Sequence, residues 1–175
     1  MSKPALVAIL AGMLALGIIN YSIYQKETLL KEGDVIFLQL APVDPRSLMQ
    51  GDYMALRFVM GNEIRSALAG QHDKKQPDNL APRNGRVIVS LDANRVANFQ
   101  RLGESSRAQN ERVLNFRLRN GRVKFATNAF FFQEGTAPDY ENARYGEFRL
   151  NNEGDLLLTD LRDESLQRLG PSGRP

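Results

Sequence analysis

The chain has 175 residues, 42% hydrophobic and 25% charged, the balance of an ordinary globular domain, which excludes collagen-like, disordered and disulfide-scaffold classes. Cysteine is absent and His72 is the only histidine, so thiol nucleophiles, thiolate metal sites and histidine-rich metal clusters are excluded as well. Twenty-three Lys and Arg against 20 Asp and Glu give a net charge of +3, too small an excess on this length to argue for a nucleic-acid partner.

The opening of the chain carries the strongest signal. Pro4 to Ile19 contains no polar side chain, and the run extends through Asn20, Tyr21, Ser22 and Ile23 to Tyr24. At about 1.5 Å per residue these positions reach roughly 31 Å as a helix, the thickness of a hydrocarbon core. Tyr21 and Tyr24 fall at one end, where amphipathic rings favour the membrane–water boundary. A cleaved signal peptide is the competing reading: Ala15-Leu16-Gly17 has the small-x-small spacing, but Ile18 and Ile19 continue the apolar run past it. A soluble core helix is disfavoured because the run leaves no face for water. The reading adopted is an uncleaved anchor over residues 4–24 behind a cytoplasmic tail of residues 1–3. Residues 25–34 then form a juxtamembrane linker. A short tail, one apolar span and a folded domain place that domain outside the cytoplasmic membrane.

Residues 33–175 carry 20 of the 23 basic residues (the others are Lys3, Lys26 and Lys31) and 18 of the 20 acidic ones (the others are Glu27 and Glu32), a net of +2. Strand signals dominate here. Residues 35–41, 53–60 and 86–91 are runs rich in branched and aromatic types, and 128–134 reads as a buried strand. In RVLNFRLRNGRVKFAT, Asn120-Gly121 fits a two-residue type I′ turn, pairing Leu118 with Val123 and Phe116 with Phe125 on one face. FRLNNEGDLLLTDL reads as a second hairpin with Asn151 to Gly154 as its turn. Helices are expected at about 61–69, 93–102 and 138–145, a polar loop at 70–85 and a disordered tail over 169–175. The expected domain, residues 35–168, is therefore β-rich (all-β to α+β): six to eight strands in a sandwich or partly open barrel with a few short helices.

The segment PVDPRSLMQGDYMALRF stands apart. Pro42 and Pro45 rigidify a turn, Gly51 permits positive φ, and Asp52 opens a strand. Asp52 in such a place usually hydrogen-bonds its own turn; the functional alternative sets Arg46, Asp52 and Tyr53 at a sheet rim around a polar ligand. The S-L-x-x-G-D spacing is also faintly that of the signal-peptidase loop that carries a serine nucleophile. The nucleophile's position there is Val43, which cannot attack, and nothing places a base beside Ser47.

GDYMALRF resembles the defining motif of the bacterial GDYXXLXY family at Gly51, Asp52, Tyr53 and Leu56, with Phe58 where the motif has its last tyrosine. PVDPRSL, with Pro45 and Arg46, is similar to the family's lead-in. FFFQEG and ENARYGEFRL are similar to its second block through Glu134, Gly135, Ala143, Tyr145 and Gly146. The resemblance implies a membrane-anchored protein of the bacterial inner membrane with no established activity, often encoded beside multi-pass membrane proteins.

The hairpin offers an independent feature. Opposite Phe116 and Leu118, Arg119 faces Arg122 and Arg117 faces Lys124. Directly opposed like charges are unfavourable, so acidic neighbours on the next strand or an anionic partner such as lipid headgroups should offset them. Glu134, Glu141, Glu147, Asp139 and Asp155 could supply a carboxylate pair for glycoside hydrolysis, although most such residues are surface charges, and His72 beside Asp73 reads as a solvated loop histidine. GxGxxG, Walker and HExxH motifs are absent, and no cofactor or metal is expected. The functional expectation is a non-enzymatic membrane-anchored module that docks to another membrane protein through the GDY turn and the ARYG segment. The alternatives are an envelope hydrolase using carboxylates or Ser47 and a module for anionic lipid or glycan.

Overall fold

A computed structural model of the chain describes residues 3–41, 49–50, 53–71, 81–105, 108–127 and 129–170. The chain divides into two compact units, Met1–Gly33 and Asp34–Pro175.

The first unit is one helix, α1 (Lys3–Glu32). Ala, Leu, Ile and Met fill it, and no proline interrupts it after Pro4, which sits where a missing N–H costs nothing. The residues expected to form a linker continue this helix through Glu32. Glu27 and Lys31 pair across one turn at 3.8 Å, and Gly33 N–H closes the last turn on the Leu29 carbonyl at 3.0 Å. From Val7 to Tyr24 every large apolar side chain described is exposed. Among the described residues no helix is long and apolar enough to cross a membrane; the side chains of Ala5, Leu6 and Ala8 lie outside that set.

The second unit is β-rich. β1 (Asp34–Gln39), β9 (Tyr145–Leu150) and β10 (Leu156–Arg162) form one antiparallel sheet in the order β1-β9-β10. β4 (Arg83–Leu91), β5 (Ala97–Leu102), β6 (Glu111–Arg119) and β7 (Arg122–Lys124) form another in the order β5-β4-β6-β7. A parallel bridge between Phe37 and Val96 joins these two, and Phe37 N–H donates to the Arg95 carbonyl at 3.0 Å. At the other end, Asn115 of β6 donates its N–H to the Gly154 carbonyl at 2.8 Å, so the β9–β10 turn comes back to β6. The result is a curled half-barrel. A third small sheet, β2-β3-β8, is built from Met49–Gln50, Tyr53–Ala55 and Ala129–Phe131.

Period-two alternation sets what fills the curl. Val87 and Val89 of β4, Leu114, Phe116 and Leu118 of β6, Ile36 and Leu38 of β1, and Phe148 and Leu150 of β9 are all buried in one core. The helix α2 (Val59–Gln71) packs against β1, β5 and β7. Met60, Ile64 and Leu68, four residues apart on one helical face, are its buried side chains. Burying each such side chain contributes about 1.5–3 kcal/mol.

The β-rich architecture agrees with the sequence reading, as do α2 and both hairpins. Four local expectations differ. Residues 93–102, expected as a helix, are a turn and then β5. Asp92 decides this, because its Oδ1 accepts the N–H groups of Asn94 at 2.8 Å and Val96 at 2.9 Å while Arg95 takes φ 64°. The apolar run 53–60 is a strand only to Ala55, and α2 takes it over from Val59. Over 138–145 the helix is a single 3-10 turn, Ala137–Tyr140, with β9 already starting at Tyr145. Residues 128–134 are not buried throughout: Phe130 and Phe132 are, but Phe131 between them is 68% exposed. Most of the polar loop and the last five residues lie outside the described set.

Candidate functional site

Of the residues singled out in the sequence, Pro45, Arg46, Ser47, Gly51, Asp52 and His72 lie outside the described set. The rest of the motif goes mainly into the core. Tyr53 stands opposite Phe131 in the β3–β8 ladder with ring centroids 5.7 Å apart. Leu56 is buried. Phe58 packs edge-on against Phe125 at 5.8 Å and Phe148 at 5.6 Å. Gly146 lies against the same rings: a Cβ there would be 3.3 Å from Phe58 Cε1 and 3.0 Å from Phe148 Cε2. The two motif blocks therefore meet through Phe58 and Gly146.

Ala143 is buried, and Tyr145 is half-buried at the start of β9, opposite Gln39 and Arg162. Glu134 is exposed beside Gly135, whose φ of 82° turns the chain after β8. Tyr140, 2% exposed, is wedged between Phe130 and Phe132 with centroids at 5.2 and 5.3 Å.

The candidate carboxylates take different settings. Glu147, 6% exposed, is ion-paired with Arg162, whose Nε donates to its Oε2 at 2.6 Å. Asp155 accepts from Asn115 Nδ2 at 2.9 Å, while Glu141 and Asp139 are exposed. Among the described residues no group of three His, Asp or Glu side chains could hold a metal ion. Several ion pairs escaped the sequence reading, two of them with a largely buried glutamate. One is Glu147–Arg162. The other is Arg101–Glu111, a two-pronged pair across the β4 strand, where the hydrogen bonds that Arg101 donates to the Glu111 carboxylate raise the pKa of its guanidinium above the ordinary value. A lone acid in the apolar stretch YGEFRL was a usable signal for the first.

The basic hairpin is built as its sequence specifies. Asn120 and Gly121 take φ 52° and 67°, both positive as the type I′ turn requires. The ladder sets Arg119 opposite Arg122, Leu118 opposite Val123 and Arg117 opposite Lys124. Phe125 is buried as expected, although β7 ends one residue before it. On the other side of β6, Asn84 of β4 faces Arg117 and Arg86 faces Asn115, so Arg86 shares the outward face.

Neutral oxygens hold two of these guanidinium groups. Arg119 Nη1 donates to the carbonyls of Arg83 at 3.1 Å and Leu118 at 2.7 Å, and its Nη2 donates to Asn84 Oδ1 at 2.8 Å. Arg117 Nη2 donates to the Ala126 carbonyl at 2.9 Å. These bonds fix the groups in place and leave their charge uncompensated. Among the described residues no carboxylate pairs with Arg86, Arg117, Arg119, Arg122 or Lys124. The acidic neighbours on the adjacent strand, one of the two expected ways of offsetting these charges, are not found there: β4 supplies Asn84 and Arg86 instead.

The fold and its surfaces define a β-rich half-barrel domain that packs Leu56, Phe58, Ala143 and Gly146 of the sequence motif inside and carries a cationic patch on an outward sheet face. The family model described as GDYXXLXY protein matches residues 15–161, and the chain belongs to that family. Comparison with curated proteins and with solved structures finds no match.

Proposed function

We propose that the chain is a single-pass, membrane-anchored binding module whose β-rich domain stands outside the bacterial inner membrane and docks to another membrane protein. The observation that carries this reading is the state of α1. All its described large apolar side chains from Val7 to Tyr24 are exposed, on every side of the helix. An apolar surface that extensive needs lipid or another protein around it. The anchor is the whole sequence run Pro4–Tyr24, which includes Ala5, Leu6 and Ala8. Lys3 and the amino terminus stay on the cytoplasmic side.

The packing of the motif supports a binding role over a catalytic one. Leu56, Phe58, Ala143 and Gly146 serve the core, and Glu147, a carboxylate that a hydrolase would draw on, is held by Arg162. The surface around Tyr53 and Phe131 is then what the motif braces for contact. Affinity capture with the tagged full-length chain from detergent-solubilised membranes tests the role. The expected result is a membrane protein recovered in stoichiometric amount and lost when Phe131 is replaced by Ser. A chain recovered alone that hydrolyses an envelope substrate would overturn it.

A further inference from the structure

Five cations share one outward face of the curled sheet: Arg86 on β4, Arg117 and Arg119 on β6, Arg122 and Lys124 on β7. Neighbouring strands stand about 4.8 Å apart and alternate residues about 6.8 Å apart, so these residues are close neighbours on the face. Like charges opposed across a ladder repel, and the sequence stacks two such pairs beside a tight turn. Among the described residues no carboxylate ion-pairs with them: Asp155 reaches this face only to accept from Asn115 Nδ2, and neutral oxygens hold the Arg117 and Arg119 guanidinium groups. Between the cations stand Asn84 and Asn115 rather than apolar or aromatic side chains. A protein partner usually needs an apolar centre, and a nucleic-acid strand needs stacking rings. A layer of phosphates needs neither.

We propose that this face is a docking surface for the headgroups of anionic phospholipids. The inference rests on the anchored reading, because a domain whose first strand, β1, starts ten residues after the anchor's last residue, Tyr24, is kept near a headgroup layer. It goes beyond that reading by assigning the cations a ligand.

The test uses the full-length chain with Ala126→Trp, which becomes the sole tryptophan; Ala126 is exposed and contributes only its backbone carbonyl to Arg117. The chain is reconstituted into brominated phosphatidylcholine vesicles with or without phosphatidylglycerol. Tryptophan quenching is expected to rise in the anionic vesicles and to fall away at high salt. Arg122→Gln with Lys124→Gln removes two charges that make no hydrogen bond among the described residues, so the fold is kept. That pair should lower the docked-to-free ratio by about tenfold or more. Equal quenching in neutral and anionic vesicles, or quenching indifferent to the double substitution, would overturn the proposal. Flotation with neutral vesicles reports the anchor separately: a chain that does not float there sinks the anchor, while quenching in anionic vesicles still decides the face.

Discussion

The Phe58 ring lies against the bare Cα of Gly146, close enough that a Cβ on Gly146 would sit 3.3 Å from Phe58 Cε1. Fifty-eight belongs to the first motif block and 146 to the second, so two segments far apart in sequence are matched in shape. Phe148 Cε2 at 3.0 Å and Leu158 Cδ1 at 3.2 Å complete the enclosure of that spot. Gly146→Ala should therefore overpack the site and destabilise the domain by about 1–3 kcal/mol, read as a lower urea midpoint. Phe58→Leu in the same chain should recover part of the loss. Equal and additive losses would mean that the two residues are not coupled.

The buried ion pair gives an asymmetric expectation. Glu147→Gln leaves the Arg162 guanidinium, with its side chain 23% exposed, without its counter-charge. The cost should be about 2–4 kcal/mol by denaturant unfolding. Replacing both residues by methionine should restore most of that, because an apolar pair of similar volume avoids the desolvation of two charges. If the double substitution proves worse than the single one, the pair is a net stabiliser and the argument fails.

Turn chemistry can be checked at one position. Asn120 holds φ 52° at the head of the β6–β7 hairpin. Asn120→Ala should cost about 1 kcal/mol, and Asn120→Gly should be close to neutral, since only the alanine meets the left-handed penalty. Thermal unfolding of the two variants measures this. Equal midpoints would show that the turn does not specify the hairpin.

These local features were legible in the sequence because they are decided within a few residues. Asn120-Gly121 between alternating apolar arms fixes a hairpin, and Asn151 to Gly154 fixes another through Asn151 Oδ1, which takes the N–H groups of Glu153 at 3.0 Å and Asp155 at 2.8 Å. The helix misread over 93–102 came from good helix formers whose fate a single Asp92 side chain decides. The strand misread over 53–60 came from an apolar run shared between a strand and a helix, which periodicity cannot divide. What the sequence could not supply was distance. Nothing in it sets Phe58 on Gly146, which lie in segments far apart in sequence; the β9–β10 hairpin was readable, but the register shift between Leu158 and Asp160 that sets the partner of Glu147 was not. That Asn84 and Arg86 stand beside β6 likewise became visible only once β4 was known to lie next to it.

The exposed ring of Phe131 separates stability from contact. It is 68% exposed on β8 while its neighbours Phe130 and Phe132 are buried. Phe131→Ser should cost only about 0.5–1.5 kcal/mol, the worth of its ring contact with Tyr53, whereas Phe132→Ser should cost several times more. A large loss from Phe131→Ser would place that ring in the core and remove it from any contact surface.

The account depends most on the apolar helix being a permanent tether, and alkaline carbonate extraction of cell membranes addresses that directly. The full-length chain, detected with an antibody against its first residues, should remain in the membrane pellet after washing at high pH. Recovery of the intact chain in the supernatant, still bearing those residues, would contradict the account.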